Sequence, residues 1–278
     1  MPDLFRHIAA CNNAVIPGKR VPLRLDGTAV GWVLPDLVAD LAHPGLAHHE
    51  ASASQGCVDL PAAELDRVTR ALAAAGRYRW RDEAFDVRAD PDGPVLAQVD
   101  RGALPALGIS AMGVHVNGLV ERPDGPWMWL ARRAANKLLD PGKLDHIVGG
   151  GVPAGLTPQE TLVKEAAEEA AIPAGLAAQA RHVATLSYAM DRPEGLRRDR
   201  LHCYDLMLPD AFMPHPADGE VEAFELWPLP RVLERVLDTD DFKFNVNLVL
   251  IDLCLRRGLI GGDEAGRLRA GLNTPAPL

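Results

Sequence analysis

Gly149-Gly150-Gly151-Val152-Pro153-Ala154-Gly155-Leu156-Thr157-Pro158-Gln159-Glu160-Thr161-Leu162-Val163-Lys164-Glu165-Ala166-Ala167-Glu168-Glu169-Ala170-Ala171-Ile172 is a glycine-rich loop running into a helix that carries a cluster of carboxylates. Thr157 is a capping residue, Pro158 suits the first helical position, and Glu160 completes a capping box, so the spacing predicts a helix from Pro158. At 100° per residue, Leu162, Val163, Ala166, Ala167 and Ala170 share one arc, while Glu165, Glu168 and Glu169 share another. Three neighbouring carboxylates repel one another by roughly a few tenths of a kcal/mol per pair unless a cation lies among them. Hard divalent ions take oxygen ligands, and Mg²⁺ is commonly shared between carboxylates and substrate phosphates. A solvated acidic face is the plain alternative on charge pattern alone. The glycines favour the metal reading, because they permit tight turning and bring backbone carbonyls near the same ion.

The stretch resembles the Nudix box, in which a glycine is followed by five residues, a glutamate, seven residues and then Arg-Glu-hydrophobic-x-Glu-Glu-x-Gly-hydrophobic. Gly150 stands at the leading glycine, Lys164 at the arginine, Glu165, Glu168 and Glu169 at the three core glutamates, and Ile172 at the closing apolar position. Leu156 replaces the first glutamate, Lys164 lacks the fork of arginine, and Ala171 replaces the final glycine.

Composition narrows the remaining classes. The 278 residues suffice for two modest domains, and 47% hydrophobic with 24% charged residues is ordinary for a globular chain. A net charge of −9 argues against gripping nucleic acid or an anionic membrane, since phosphate neutralisation needs clustered Lys and Arg. Cys11, Cys57, Cys203 and Cys254 are scattered without C-x-x-C spacing, which predicts reduced thiols. With no signal-like or membrane-length apolar run, a cytoplasmic location is expected.

Residues 1–107 read as a separate unit. Val21 to Val33 is patterned as a hairpin about Asp26-Gly27. His43, His48 and His49 read as a polar surface connection. Leu65, Val68 and Leu72 form a helical stripe stopped by Gly76, and Trp80 to Val87 reads as a strand. A boundary is expected near Leu107-Gly108. The strand Met112 to Val120 then puts His115 and Asn117 on one side, lining either a pocket or a solvated face. Trp127 to Arg133 is a strand, and Arg133, Lys137 and Lys143 precede the glycine loop, where they can hold phosphate. His182–Tyr188 and Leu201–Leu208 read as paired strands joined by a charged loop from Asp191 to Arg200. After a strand ending at Trp227, with Glu220 or Glu222 as a further carboxylate, come helices over 230–237 and 245–257. Residues 108–262 make the second domain and 263–278 a tail.

Beyond the box, Gly113-Val114-His115-Val116-Asn117-Gly118, Lys137, Pro141-Gly142-Lys143-Leu144-Asp145, Asp218-Gly219-Glu220-Val221-Glu222 and Phe242-Lys243-Phe244-Asn245 resemble the Nudix subgroup related to the Nudix half of fungal thiamine pyrophosphokinase. Cys11-Asn12-Asn13, Val30-Gly31-Trp32 and Trp80-Arg81-Asp82-Glu83 resemble its N-terminal companion domain. In that subgroup the first box glutamate is often absent. The resemblance implies an α+β chain: a Nudix α/β/α sandwich with a mixed sheet, preceded by a small α+β domain. It also implies Mg²⁺- or Mn²⁺-dependent hydrolysis of thiamine diphosphate, or its oxidised analogues, to monophosphate.

On this reading Glu165, Glu168 and Glu169 are metal ligands together with the backbone carbonyl of Gly149 or Gly150. The base is one of these glutamates or Glu222. His115, Asn117, Arg133, Lys137, Lys143 and Asp145 are expected on the substrate. Three rivals remain open: a nucleotide-sugar, ADP-ribose or dinucleotide substrate; an isomerase that keeps both phosphates; and a non-catalytic ligand sensor. The N-terminal unit either completes the substrate pocket or mediates a homodimer.

Overall fold

The computed structural model describes residues 3–41, 56–217 and 219–273. The chain opens with α1 (Phe5–Cys11), then the hairpin β1 (Val21–Leu25) and β2 (Thr28–Val33). Asp26 and Gly27 both have positive φ, 48° and 81°, the geometry a two-residue hairpin turn requires. After α2 (Pro35–Leu41), β3 (Val58–Leu60) pairs parallel to β1, and α3 (Leu65–Ala74) buries Leu65, Val68 and Leu72 as the stripe predicts. The predicted strand over 80–87 is shorter, β4 (Ala84–Val87), paired with β5 (Ala97–Asp100), and α4 (Ala103–Leu107) ends the unit at Gly108. The expectation for His43, His48 and His49 lies outside the described residues.

The second body is built on β6 (Ser110–Arg122), β7 (Gly125–Arg133), β8 (Leu144–His146), β9 (Val148–Gly151), α5 (Pro158–Ala170), α6 (Ala174–Ala177), β10 (Arg181–Arg192), β11 (Gly195–Met207), β12 (Val221–Pro228), α7 (Leu229–Asp238), α8 (Val246–Arg256) and α9 (Gly262–Leu272). Its sheet runs β10-β11-β6-β7-β12, with β8 on β7 and β9 on β6; β11 and β6 are parallel, so the sheet is mixed. Alternation sends Val114 and Val116 of β6 toward Leu162, Ala166 and Ala170 of α5, while Leu119 faces α8. Helix α8 has nine of its eleven residues buried, as expected for a helix apolar on nearly every side. Helices on both faces make the expected α/β/α sandwich. No helix among the described residues is long and apolar enough to cross a membrane.

Three expectations change. Asp191 to Arg200 is not a loop: β10 and β11 continue through it as an antiparallel ladder closed at Pro193-Glu194, because cross-strand pairing satisfies the backbone there. Residues 263–278 are not all tail, since α9 buries Ala265, Leu268 and Leu272. Nor do residues 1–107 all pack together. Leu4, Ile8 and Cys11 lie in the core around α8, and Arg6 caps α7, its Nη1 donating to the Leu237 carbonyl at 2.7 Å and its Nη2 to that of Thr239 at 2.6 Å.

Helix α5 starts as its sequence dictates. Thr157 accepts from the Glu160 amide at 3.2 Å, and Glu160 accepts from the Thr157 amide at 2.9 Å. It ends on Ala171 in the left-handed region, φ 52°. A left-handed alanine costs about 1 kcal/mol relative to glycine. Ala171→Gly is therefore expected to raise the thermal midpoint by about 2–4 °C in a melting experiment.

Candidate active site

Helix α5 meets the sheet at β9, which lies antiparallel to β6 with Gly149 opposite His115 and Gly150 opposite Val114. The Gly149 amide does not join the ladder; it donates to Glu169 Oε2 at 2.9 Å. In an antiparallel pair both bonds are exchanged or neither is, so the Gly149 carbonyl also points away from β6. The Gly150 carbonyl is committed to the ladder, in phase with Val152 N–H donating to the Met112 carbonyl at 2.9 Å. Of the two glycines expected to present a carbonyl, Gly149 is thus the one with an oxygen on the acidic side. Gly150 has a different role: a Cβ there would stand 2.7 Å from Glu165 Cδ, so only glycine admits the carboxyl.

The three glutamates differ in environment. Glu169 is buried at 8% exposure, and burial raises its carboxyl well above the usual range; the Gly149 hydrogen bond opposes this, while Asp145, Glu165 and Glu220 add to it. Burial also raises Glu165, with Lys164 opposing and Glu168 and Glu83 adding. Glu168 is exposed and paired with Lys164 at 2.5 Å. Ala167, placed by periodicity on the packing arc, is also exposed, and Val163 is half-buried; the buried arc is centred on Leu162, Ala166, Glu169 and Ala170.

Behind Gly149 lies a polar cluster built on β6 and β8. Asp145 is buried; its Oδ2 accepts from Arg133 Nη1 at 2.8 Å and faces Lys243 Nζ at 3.3 Å, and its Oδ1 accepts from the His146 amide at 2.9 Å. Burial pushes this carboxyl up, but the Lys243 and Arg133 cations outweigh it and hold it well below the usual carboxylate range. His115 Nδ1 and His146 Nδ1 share a hydrogen bond of 3.0 Å, and His146 Nε2 is buried without a partner. Burial lowers His115 far below the ordinary imidazole range and takes His146 down to about 4, so both rings are neutral at pH 7.

Ligand atoms of His115, Asp145 and His146 lie within 4.8 Å of one another and can receive an ion. However, both Asp145 oxygens are already engaged and two cations flank it, which disfavours a third positive charge. Hard-oxygen donors at Glu165, Glu169 and the Gly149 carbonyl fit a divalent ion better: buried carboxyls raised by desolvation need a cation to stay ionised.

The other expected residues are placed as follows. Asn117 Nδ2 donates to Asp205 at 2.8 Å, and Asp205 takes both Arg256 guanidinium nitrogens, at 2.7 and 3.1 Å. Asn117 therefore belongs to a buried network with α8 and does not line a solvated face. Lys137 is ion-paired with Glu220, and Lys143 lies 3.8 Å from Asp140. Glu222 is exposed at an irregularity between Val221 and Ala223, and it is Glu220 whose charge Glu169 feels. Residues that sequence reasoning gave no role, His146, Lys243, Asp205 and Arg256, come together here. Of these only Lys243 carried a signal, within Phe242-Lys243-Phe244-Asn245.

Residues 112–247 match the NUDIX domain, and residues 3–111 match DUF4743, a domain of unknown function. The chain carries a NUDIX domain preceded by a DUF4743 domain. It is 41% identical over 188 residues to Nudix hydrolase 20, chloroplastic, of Arabidopsis thaliana, covering 68% of this chain and 50% of the relative. It is equally identical, 41% over 188 residues, to Nudix hydrolase 24, chloroplastic, of the same plant, covering 68% and 52%. Among solved structures, DR0079 of Deinococcus radiodurans is similar at 23% identity and TM-score 0.47, covering 60% of this chain and 97% of that one. The chain spans about half the length of the curated relatives it matches.

The two histidines set an acid limit on stability. Their folded pKa values lie below the unfolded value of 6.5, so the unfolded chain binds more protons as pH falls, and stability drops from about 6.5 toward about 4. His146→Gln is expected to flatten that slope in thermal melts run across this window. An unchanged slope would assign the loss to other groups.

Proposed function

We propose that the chain hydrolyses the diphosphate of a small organic diphosphate, with Mg²⁺ or Mn²⁺ held by Glu165, Glu169 and the Gly149 carbonyl. The observation that carries this is the Glu169 carboxyl, buried against the β9 glycines with its proton affinity raised. When bound, the ion supplies positive charge for the phosphate oxygens and acidifies the attacking water. With such a charge beside it, Glu169 would be ionised and would be placed to hold the proton of the attacking water. Glu165 lies over Gly150, and Glu168, exposed and paired with Lys164, would be the outer of the three carboxylates toward such an ion. Arg133 and Lys243 are tied to Asp145, whose charge Glu169 feels, and are the cations nearest the phosphate side of this reading.

The substrate reading is thiamine diphosphate or its oxidised forms, cleaved to monophosphate and phosphate. Its support is the sequence resemblance in the box, in Gly113–Gly118 and in Phe242–Asn245. His115, His146 and Asn245 are buried and bonded to one another, with Asn245 at 3.5 Å from His115, so they hold β6, β8 and the start of α8 in register behind the site.

Product analysis on thiamine diphosphate, an oxidised analogue and ADP-ribose, each with and without Mg²⁺, tests the assignment. Monophosphate and inorganic phosphate from the thiamine compounds, dependent on Mg²⁺, are expected; AMP from ADP-ribose with the thiamine compounds intact would overturn the substrate reading. Glu169→Gln is expected to lower the rate about 10²-fold or more. Without metal, the raised folded pKa means that the native state keeps a proton the unfolded chain has lost, so native stability falls as pH rises above about 4.5. In EDTA, Glu169→Gln is expected to remove this decline and to melt no lower than the parent at neutral pH. A lower melting point would make Glu169 a structural residue.

A further inference from the structure

The two modules meet at a cleft that the chemistry above does not use. Its walls include Val30, Phe85 and Arg88 from the first module and Met112, Leu156 and Arg198 from the second, around a cavity of about 40 Å³. That is room for about three water molecules, or the head group of a small anion. The modules are stitched together beside it: the Ala154 amide donates to the Ala84 carbonyl at 2.8 Å, and the Phe85 ring covers Gly151, where a Cβ would come within 2.6 Å of it.

Arg198 is 8% exposed. Its Nη1 donates to the Gly108 carbonyl at 3.2 Å, but its Nε is buried without an acceptor, and no carboxylate among the described residues pairs with it. The neighbouring cations are all matched: Arg88 by Asp86 at 3.2 Å, Arg197 by Asp199 at 3.1 Å and Arg200 by Asp92 at 3.3 Å. A guanidinium taken out of water without a counter-charge is costly. Asp86 also lines the cleft but is taken by Arg88, and Leu156, at the position that carries a glutamate in the Nudix pattern, gives the wall an apolar surface, so Arg198 is left without a counter-charge there.

We propose that this interdomain cleft binds a small organic anion, its carboxylate or phosphate seated on Arg198 and its apolar body lying between Phe85 and Leu156. The guanidinium fork matches either head group with two parallel hydrogen bonds. The occupant bridges both modules, and Leu156 immediately precedes the Thr157 cap of α5, so binding is coupled to the helix that carries the glutamates.

Calorimetry on the full chain in EDTA, with benzoate and phenyl phosphate as probes, tests this. Binding of at least one probe at about 1 mM or tighter is expected, weakened at least about tenfold by Arg198→Met. Benzoate alone would identify a carboxylate site and phenyl phosphate alone a phosphate site. Because Arg198→Met also removes the Gly108 contact, Leu156→Trp, which fills the cleft and leaves Arg198 in place, is the second variant and is expected to show the same loss. Soaking 4-bromobenzoate or 4-bromophenyl phosphate into crystals is expected to put the bromine between Phe85 and Leu156. The proposal is overturned if neither probe binds at about twenty times that concentration, if both variants bind like the parent, or if the bromine lies elsewhere.

Discussion

The site depends on one carboxylate being buried where a glycine strand leaves an amide free. Gly149 stands opposite His115 without sharing ladder hydrogen bonds, so its N–H is available to Glu169 and its carbonyl faces the same way. That single contact ties the last turn of α5 to β9. It also keeps an acidic group in low dielectric, where its proton affinity rises and a divalent ion becomes the natural partner. Gly150 makes room for Glu165 on the next residue, so two successive glycines serve two different carboxylates for two different reasons.

A second layer of polar residues surrounds this contact. Asp145 holds Arg133 and Lys243, and the paired neutral histidines fill the space between β6 and β8. In an otherwise apolar region over α8, such groups persist because nearly every donor meets an acceptor. Among the described residues His146 Nε2, Asn245 Oδ1 and Asn117 Oδ1 are buried without a partner. In the DUF4743 module, β4 lies along residues 151–154, just ahead of α5.

Much of this was legible in the sequence because it rests on local rules. The capping box at Thr157 and Glu160, the Asp26-Gly27 hairpin and the stripe Leu65, Val68, Leu72 each depend on residues a few positions apart, and each forms as read. The Glu165, Glu168, Glu169 spacing was equally plain, but periodicity does not say which of the three a neighbouring strand will bury. The charged stretch Asp191–Arg200 looked like a loop because contacts such as Tyr188 to Asp199 across the ladder and Arg200 to Asp92 of the first module satisfy its charges, and no local pattern reveals them. His146, Lys243, Asp205 and Arg256 join the site only through packing between β8, β11 and the segments around α8, which are far apart along the chain. The packing of α1 against α8 and α9 was hidden for the same reason.

The central claim is that Glu165, Glu169 and the Gly149 carbonyl together receive a divalent cation. A Mn²⁺ soak of crystals of the full chain, read by anomalous scattering, tests it most directly. The account predicts a manganese peak bonded to those three groups. A peak confined to His115, Asp145 and His146, or an acidic patch left empty at a Mn²⁺ concentration that supports hydrolysis, would contradict it.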